Sequence, residues 1–178
     1  MHSIVQSPTD TGDDRGAAQP GSTKWLAFKA AQLHYLFALE HVGEVVQARE
    51  ITHVPFTQPW FCGAITMRGV LHGVINLASF LYLGDQYNNA TPHGCRLSVD
   101  EKADQLVTIN PALNCPCALM VGSLQGLRKP GDFPGEAETS SSQSPLLVGI
   151  RHDRMHARWL EVDLPALVAS VRSRSIKA

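Results

Sequence analysis

The chain carries almost no net charge: 15 Lys and Arg stand against 16 Asp and Glu, a formal −1 with a pI of about 6.7. Without a field of one sign nothing gathers nucleic acid or an anionic bilayer, and neither is expected as a partner. Long apolar runs are also missing. None approaches the roughly 18 residues that a membrane-spanning helix requires, although 44% apolar content is ample for a core. The opening "MHSIVQSPTDTGDDRGAAQPGST" lacks the basic start and apolar block of a secretory signal, and its Pro/Gly/Asp-rich makeup predicts a flexible tail over residues 1–23. The four cysteines, Cys62, Cys95, Cys115 and Cys117, form no extracellular disulfide framework in a chain of 178 residues. Reduced thiols in a cytoplasmic protein are the simpler expectation.

Catalytic signatures are absent as well. The sequence contains no GxSxG elbow, no GxxxxGK[ST] phosphate loop and no GxGxxG after a strand. "VGSLQG" at Val121–Gly126 has the wrong spacing for a nucleophile turn around Ser123. Metal-like groupings are confined to "NCPC", with Cys115 and Cys117, and "HDRMH", with His152 and His156. The cysteines sit closer than a zinc knuckle's CxxC, and the histidines lack the glutamate of HExxH. A metal-assisted enzyme built on these four residues therefore remains only an alternative to a buried strand at Cys117 and a polar hairpin around the histidines. Cys62, beside Trp60 and Phe61, reads as a small buried hydrophobe. The cationic "RHDRMHAR", Arg151–Arg158, reads as a solvated turn whose long side chains cover apolar surface.

What is present is β patterning. "TKWLAFKAAQ" predicts a short helix capped by Ser22 or Thr23. His34–Leu39 and Glu44–Ile51 predict two strands of a hairpin turning near Gly43. Pro55 and Pro59 make "THVPFTQPWFCG" an extended connector. In "MRGVLHGVINL", Met67–Leu77, helical and strand periodicities compete, and the glycines favour the strand, since each costs a helix about 1 kcal/mol. Alternation then places Leu71, Gly73, Ile75 and Leu77 on an apolar face, with Arg68 where the strand begins. Asn76 caps a helix "LASFLYL" ending at Gly84, and Asp163 with Pro165 repeats the device 87 positions on (163 − 76 = 87). Gln105–Ile109 and Cys117–Leu124 echo the first strand pair at an offset of about 71, which predicts two related halves. A flexible inserted loop over 129–145 in the second half reconciles the two offsets.

Apolar strands without a reactive constellation suit a protein whose surface is its function. Trp60 and Arg68 are residue types that anchor interfaces. Trp60 reads equally well as core filler, and Arg68 as the partner of Glu50 or Glu44 in an ion pair. A stand-alone ligand-binding barrel is a further alternative.

Val54–Gly84, "VPFTQPWFCGAITMRGVLHGVINLASFLYLG", resembles the signature of CheW-like coupling domains: a proline-containing approach, a strand carrying Arg-Gly, then Val-Ile-Asp-Leu and a short helix. "REI" at Arg49–Ile51, "LVTIN" and "CALMVGSLQGL" downstream, and the closing "WLEVDLPALV" extend the likeness from about Trp25 to Val171. The resemblance implies a mainly β fold over residues 24–178, with two small five-stranded β-barrels around a shared hydrophobic core and short capped helices. It implies a non-enzymatic adaptor, without cofactor, that links the cytoplasmic tip of a methyl-accepting chemoreceptor to the regulatory domain of a CheA-like histidine kinase. Partner contacts are expected at Glu50, Ile51, Trp60, Met67, Arg68, Gly69 and Asn76. The Val-Pro-x-Thr and Phe-Leu-x-x-Gly details resemble the PilI branch, which serves type IV pilus twitching motility. Thr66, Asn76 and Gly122 stand where the family pattern has Asn, Asp and Asp, and the last change is read as removing a charge and adding flexibility.

Overall fold

In the computed structural model, which describes residues 24–30, 33–48, 50–81, 104–138 and 145–177, ten strands and two α-helices are arranged around two sheets. The first half contributes β1 (Trp25–Ala30), β2 (Leu33–Ala38), β3 (Val42–Gln47), β4 (Phe61–Met67), β5 (Val70–Asn76) and α1 (Leu77–Leu81). The second contributes β6 (Gln105–Ile109), β7 (Cys117–Val121), β8 (Leu124–Arg128), β9 (Leu147–His152), β10 (Arg158–Val162) and α2 (Leu164–Ser173). The sheet orders are β8-β1-β2-β10-β9 and β3-β6-β7-β5-β4. Residues 1–23, Arg49 and Gly84 lie outside the described residues.

The two sheets are built alike. In each, a hairpin (β1β2 or β6β7) is joined in parallel to the second strand of another hairpin (β9β10 or β4β5). The fifth strands are exchanged: β3, following β2, pairs with β6, and β8, following β7, pairs with β1. Each sheet therefore takes strands from both halves of the chain. Each is then curled shut by one bridge. Thr52 and Ala64 exchange hydrogen bonds of 2.8 and 2.9 Å, and Glu138 and Ile150 exchange two of 2.9 Å. The bridges are related by a constant offset (138 − 52 = 86; 150 − 64 = 86).

Side-chain alternation then produces three cores. Along β7, Ala118 and Met120 pack with Cys62, Val74 and Leu106 inside one barrel, while Leu119 and Val121 face a cluster shared by both sheets. Along β1, Trp25 and Ala27 pack with Leu36, Phe133 and Trp159 inside the other barrel, while Leu26 and Phe28 face the shared cluster. The expected pair of five-stranded barrels around a common core is thus present.

Both helix starts form as their caps predict. Asn76 Oδ1 accepts from Ser79 N at 3.0 Å, and Asp163 Oδ1 accepts from Ala166 N at 2.9 Å, with Pro165 in the first turn of α2. Four other expectations need correction. The predicted helix at 23–32 is the strand β1, whose burial on both faces hides the alternation of a half-buried strand. The predicted hairpin of 34–39 with 44–51 does not exist, because β2 and β3 lie in different sheets. Leu71 is exposed, not core-facing. The echo expected at an offset of 71 matches the wrong strands, because β1 opens the first half and β1β2 corresponds to β6β7. The 129–145 segment carries Phe133, buried against Trp25 and Trp159 in T-shaped contacts at 5.8 and 6.1 Å, and Glu138, which makes the closing bridge.

Candidate partner-binding site

Met67 pairs with Val70 across a two-residue turn, and both turn residues adopt positive φ, 49° at Arg68 and 79° at Gly69. Such a turn follows the right-handed twist of the flanking strands, and glycine is present for that backbone conformation, since a Cβ at Gly69 would meet nothing within 4 Å. At Gly73, the other glycine of the segment, a Cβ would lie 3.0 Å from the Phe61 ring, so there the missing side chain serves close packing.

The hairpin tip displays a charged and an apolar element side by side. Arg68 Nη2 lies 3.1 Å from Glu44 Oε1, with side chains 82% and 48% exposed, so of the two expected ion pairs the Glu44 one forms. Val70 and Leu71, at 51% and 64% exposure, open the strand that leaves the turn. Sequence alternation did not find this apolar pair, because it sends adjacent residues to opposite faces and assigns Leu71 to the core. Met67 and Ile51 pack together on the interior cluster of the same barrel, and exposed Glu50 precedes Ile51 with φ of 40°.

Trp60 and Asn76 do not join this surface. Trp60 is 2% exposed and stacks edge-on against Phe80 at 5.0 Å, and Asn76 is 1% exposed as the α1 cap. Of the two readings of Trp60, core filling is the one the fold adopts. Both residues support the barrel interface from within.

The other barrel has a polar interior that the sequence did not reveal. Glu161 accepts from Trp25 Nε1 at 2.9 Å and from Arg151 Nε at 2.7 Å, and the Arg151 guanidinium lies 4.6 Å from the Trp25 ring centroid. At one end, Trp159 Nε1 donates to Asp153 Oδ2 at 3.0 Å, while Asp153 Oδ1 receives the amides of Met155 and Ala157 at 2.9 Å each. Partial burial pushes the Asp153 carboxyl up, but the indole and the two amides outweigh it and hold it below the ordinary range. His34 packs on Trp159 at 4.6 Å with its Nδ1 buried and unpaired; burial first, then Lys29 and Arg128 against an opposing Asp153, lowers its pKa.

A depressed histidine pKa means that the unfolded chain binds more protons, so its contribution to stability is complete above the free value of 6.5 and is lost as pH falls through it. Urea midpoints should therefore drop between about pH 7.5 and pH 5, and His34→Phe, which keeps the ring on Trp159, should flatten that slope. An unchanged slope in the variant would remove His34 as its source.

Of the four residues considered for a metal, Cys115 and Cys117 lie together beside β7 in one sheet, whereas His152 ends β9 in the other and His156 sits in the β9–β10 loop. Among the described residues no three His, Cys, Asp or Glu side chains converge as metal ligands, and no helix is long and apolar enough to cross a membrane.

Residues 24–172 match the CheW-like domain family. Among solved structures, the scaffolding protein TtCheW from Thermoanaerobacter tengcongensis is similar in fold, with 19% identity over 83% of this chain and 88% of that one and a TM-score of 0.62. Comparison with curated protein sequences gives no significant match. With the family pattern running through both barrels and both capped helices, the chain belongs to the CheW-like domain family.

Proposed function

We propose that the protein is a non-enzymatic adaptor that couples a methyl-accepting chemoreceptor to a CheA-like histidine kinase at receptor arrays on the cytoplasmic side, and that it serves pilus-driven motility as a PilI-type member. The observation carrying this reading is the family match across residues 24–172 on a fold that presents the Arg68–Gly69 turn at an exposed hairpin tip. Scaffolding needs two partner surfaces on one rigid body, and two barrels fused through a common core supply one. The contact face we assign consists of Arg68, Gly69, Val70 and Leu71, with exposed Glu50 as a further contact residue and with Met67 and Ile51 packed on the interior cluster of the same barrel.

Co-elution of the purified chain with the kinase regulatory domain and the receptor tip from the same organism tests the reading. Arg68→Glu replaces an exposed ion pair with a like-charge contact to Glu44, so fold stability should move by less than about 1 kcal/mol. Partner binding should weaken at least tenfold, by about 1.4 kcal/mol, and motility should fall with it. Failure of the parent chain to bind either partner would overturn the adaptor reading. Full coupling by the variant would displace the site from this hairpin.

A further inference from the structure

Neither barrel closure nor the hairpin surface accounts for Cys115 and Cys117. They flank Pro116, Cys115 in the loop leading into β7 and Cys117 as the first residue of that strand, and their Sγ atoms stand 3.1 Å apart. Several local features bring them together. Asn110 caps the turn at Pro111–Leu113 by accepting from Ala112 N at 3.0 Å, and Asn114 reverses the chain with φ of 51°. Cys117 N then donates to Cys115 O at 2.7 Å, closing a three-residue turn that shortens the span between the two cysteines. From α2, Arg172 Nη2 donates to the carbonyls of Leu113 and Asn114 at 2.9 and 2.5 Å and holds the loop in place. Cys115 is partly exposed and Cys117 is buried.

We infer that Cys115 and Cys117 form a redox modification site that reacts with low-molecular-weight disulfides of the glutathione class and closes to an intramolecular disulfide. The Cys115 thiolate attacks one sulfur of the small disulfide and expels one small thiol, leaving a mixed disulfide on Cys115. Cys117, deprotonated, then attacks Cys115 Sγ and expels the second small thiol. Two protein thiols give up two electrons and two protons, and one small disulfide becomes two small thiols. Access sets the order, since only Cys115 reaches solvent. Burial is the main cause that holds the Cys117 thiol above its ordinary range, and it persists once Cys115 carries the small thiol, so the closing step is slow at neutral pH and quickens as pH rises. Reversible pairs of this kind suit a reducing compartment in which structural disulfides are rare.

The turn is tied to the strand leaving the hairpin tip. Gly73 N donates to Pro116 O at 3.1 Å, and Cys117 is in register with Gly73 on β5. Bond formation shortens the Sγ separation from 3.1 Å to about 2.05 Å within a turn hydrogen-bonded to that strand.

The test uses the reduced, full-length chain incubated with oxidised glutathione, with intact mass and peptide mapping as readouts. The parent should lose two hydrogens, with the bridge mapped to Cys115 and Cys117. Cys117→Ser should stop at one glutathione adduct on Cys115. Cys115→Ser should acquire an adduct at Cys117 at least about tenfold more slowly than the parent reacts. A Cys115 adduct in the parent that fails to close even at about pH 9, a bridge through Cys62 or Cys95, or no reaction in the folded chain would each overturn the inference. These outcomes do not depend on partner binding, so they stand apart from the adaptor reading.

Discussion

Arg151→Met is expected to destabilise the fold by about 3 kcal/mol. The Arg151 and Glu161 side chains are 22% and 11% exposed, and removing the guanidinium leaves a buried carboxylate with the Trp25 indole as its remaining described donor. The other barrel shows what an apolar solution looks like. By the offsets that relate the closures and caps, Arg151 corresponds to Ile65 (151 − 65 = 86) and Glu161 to Val74 (161 − 74 = 87), and each second-hairpin pair sets Gly63 against Val74 or Gly149 against Glu161. Arg151→Ile with Glu161→Val should therefore recover most of the loss, leaving about 1 kcal/mol for the indole that has lost its acceptor. Urea midpoints of Arg151→Ile, Glu161→Val and the double form a mutant cycle. Equal losses in the single and double variants would show that the ion pair does not explain the cost.

Gly122→Asp, which restores the acid of the family pattern, should cost at least about 3 kcal/mol. A Cβ at 122 would overlap the carbonyl oxygen of Lys29, so glycine lets the β7–β8 crossing press against β1. Flexibility, the sequence expectation for Gly122, is not its role. Gly63→Ala should lose a comparable amount for two reasons at once: φ is 132°, and a Cβ would overlap the Thr52 carbonyl that closes the barrel. Gly69→Ala, with the same kind of strained φ but open space around it, should lose only about 1 kcal/mol. Thermal or urea unfolding of the three variants separates close packing from backbone strain. If all three lost equally, steric closure at Thr52 and Lys29 would be excluded as the cause.

What could be read from the sequence was whatever is decided within a few residues. The caps at Asn76 and Asp163 depend on a side chain reaching an amide three positions on, and both formed as expected. The family pattern around Arg68 and Gly69 is equally local, although the sequence shows a strand beginning there and not the two-residue turn that the fold makes. Strand pairing is not. Nothing in residues 34–51 states that β2 and β3 part company into different sheets, and Trp25–Ala30, buried on both faces, carries no period-2 signal to set it against a helix. Trp60 and Arg151 show the same limit at single residues. An anchor and a core filler have the same one-letter code until the neighbours are known, and the Glu161 that Arg151 needs is specified by a barrel interior, not by spacing alone.

The exchange of β3 and β8 also governs how the chain reaches this state. Trp25 must find Arg128 across 103 positions (128 − 25 = 103), and Val42 must find Ile109 across 67 (109 − 42 = 67), before either barrel has its fifth strand. Loop-closure entropy is lost before those contacts form, which places folding in the roughly millisecond-to-second range of non-local β topologies. During synthesis the first half has no finished barrel to fold into until β6 and β7 have left the ribosome. The two barrels must therefore mature as one cooperative unit, and a chain halted between them presents unpaired edges to its neighbours.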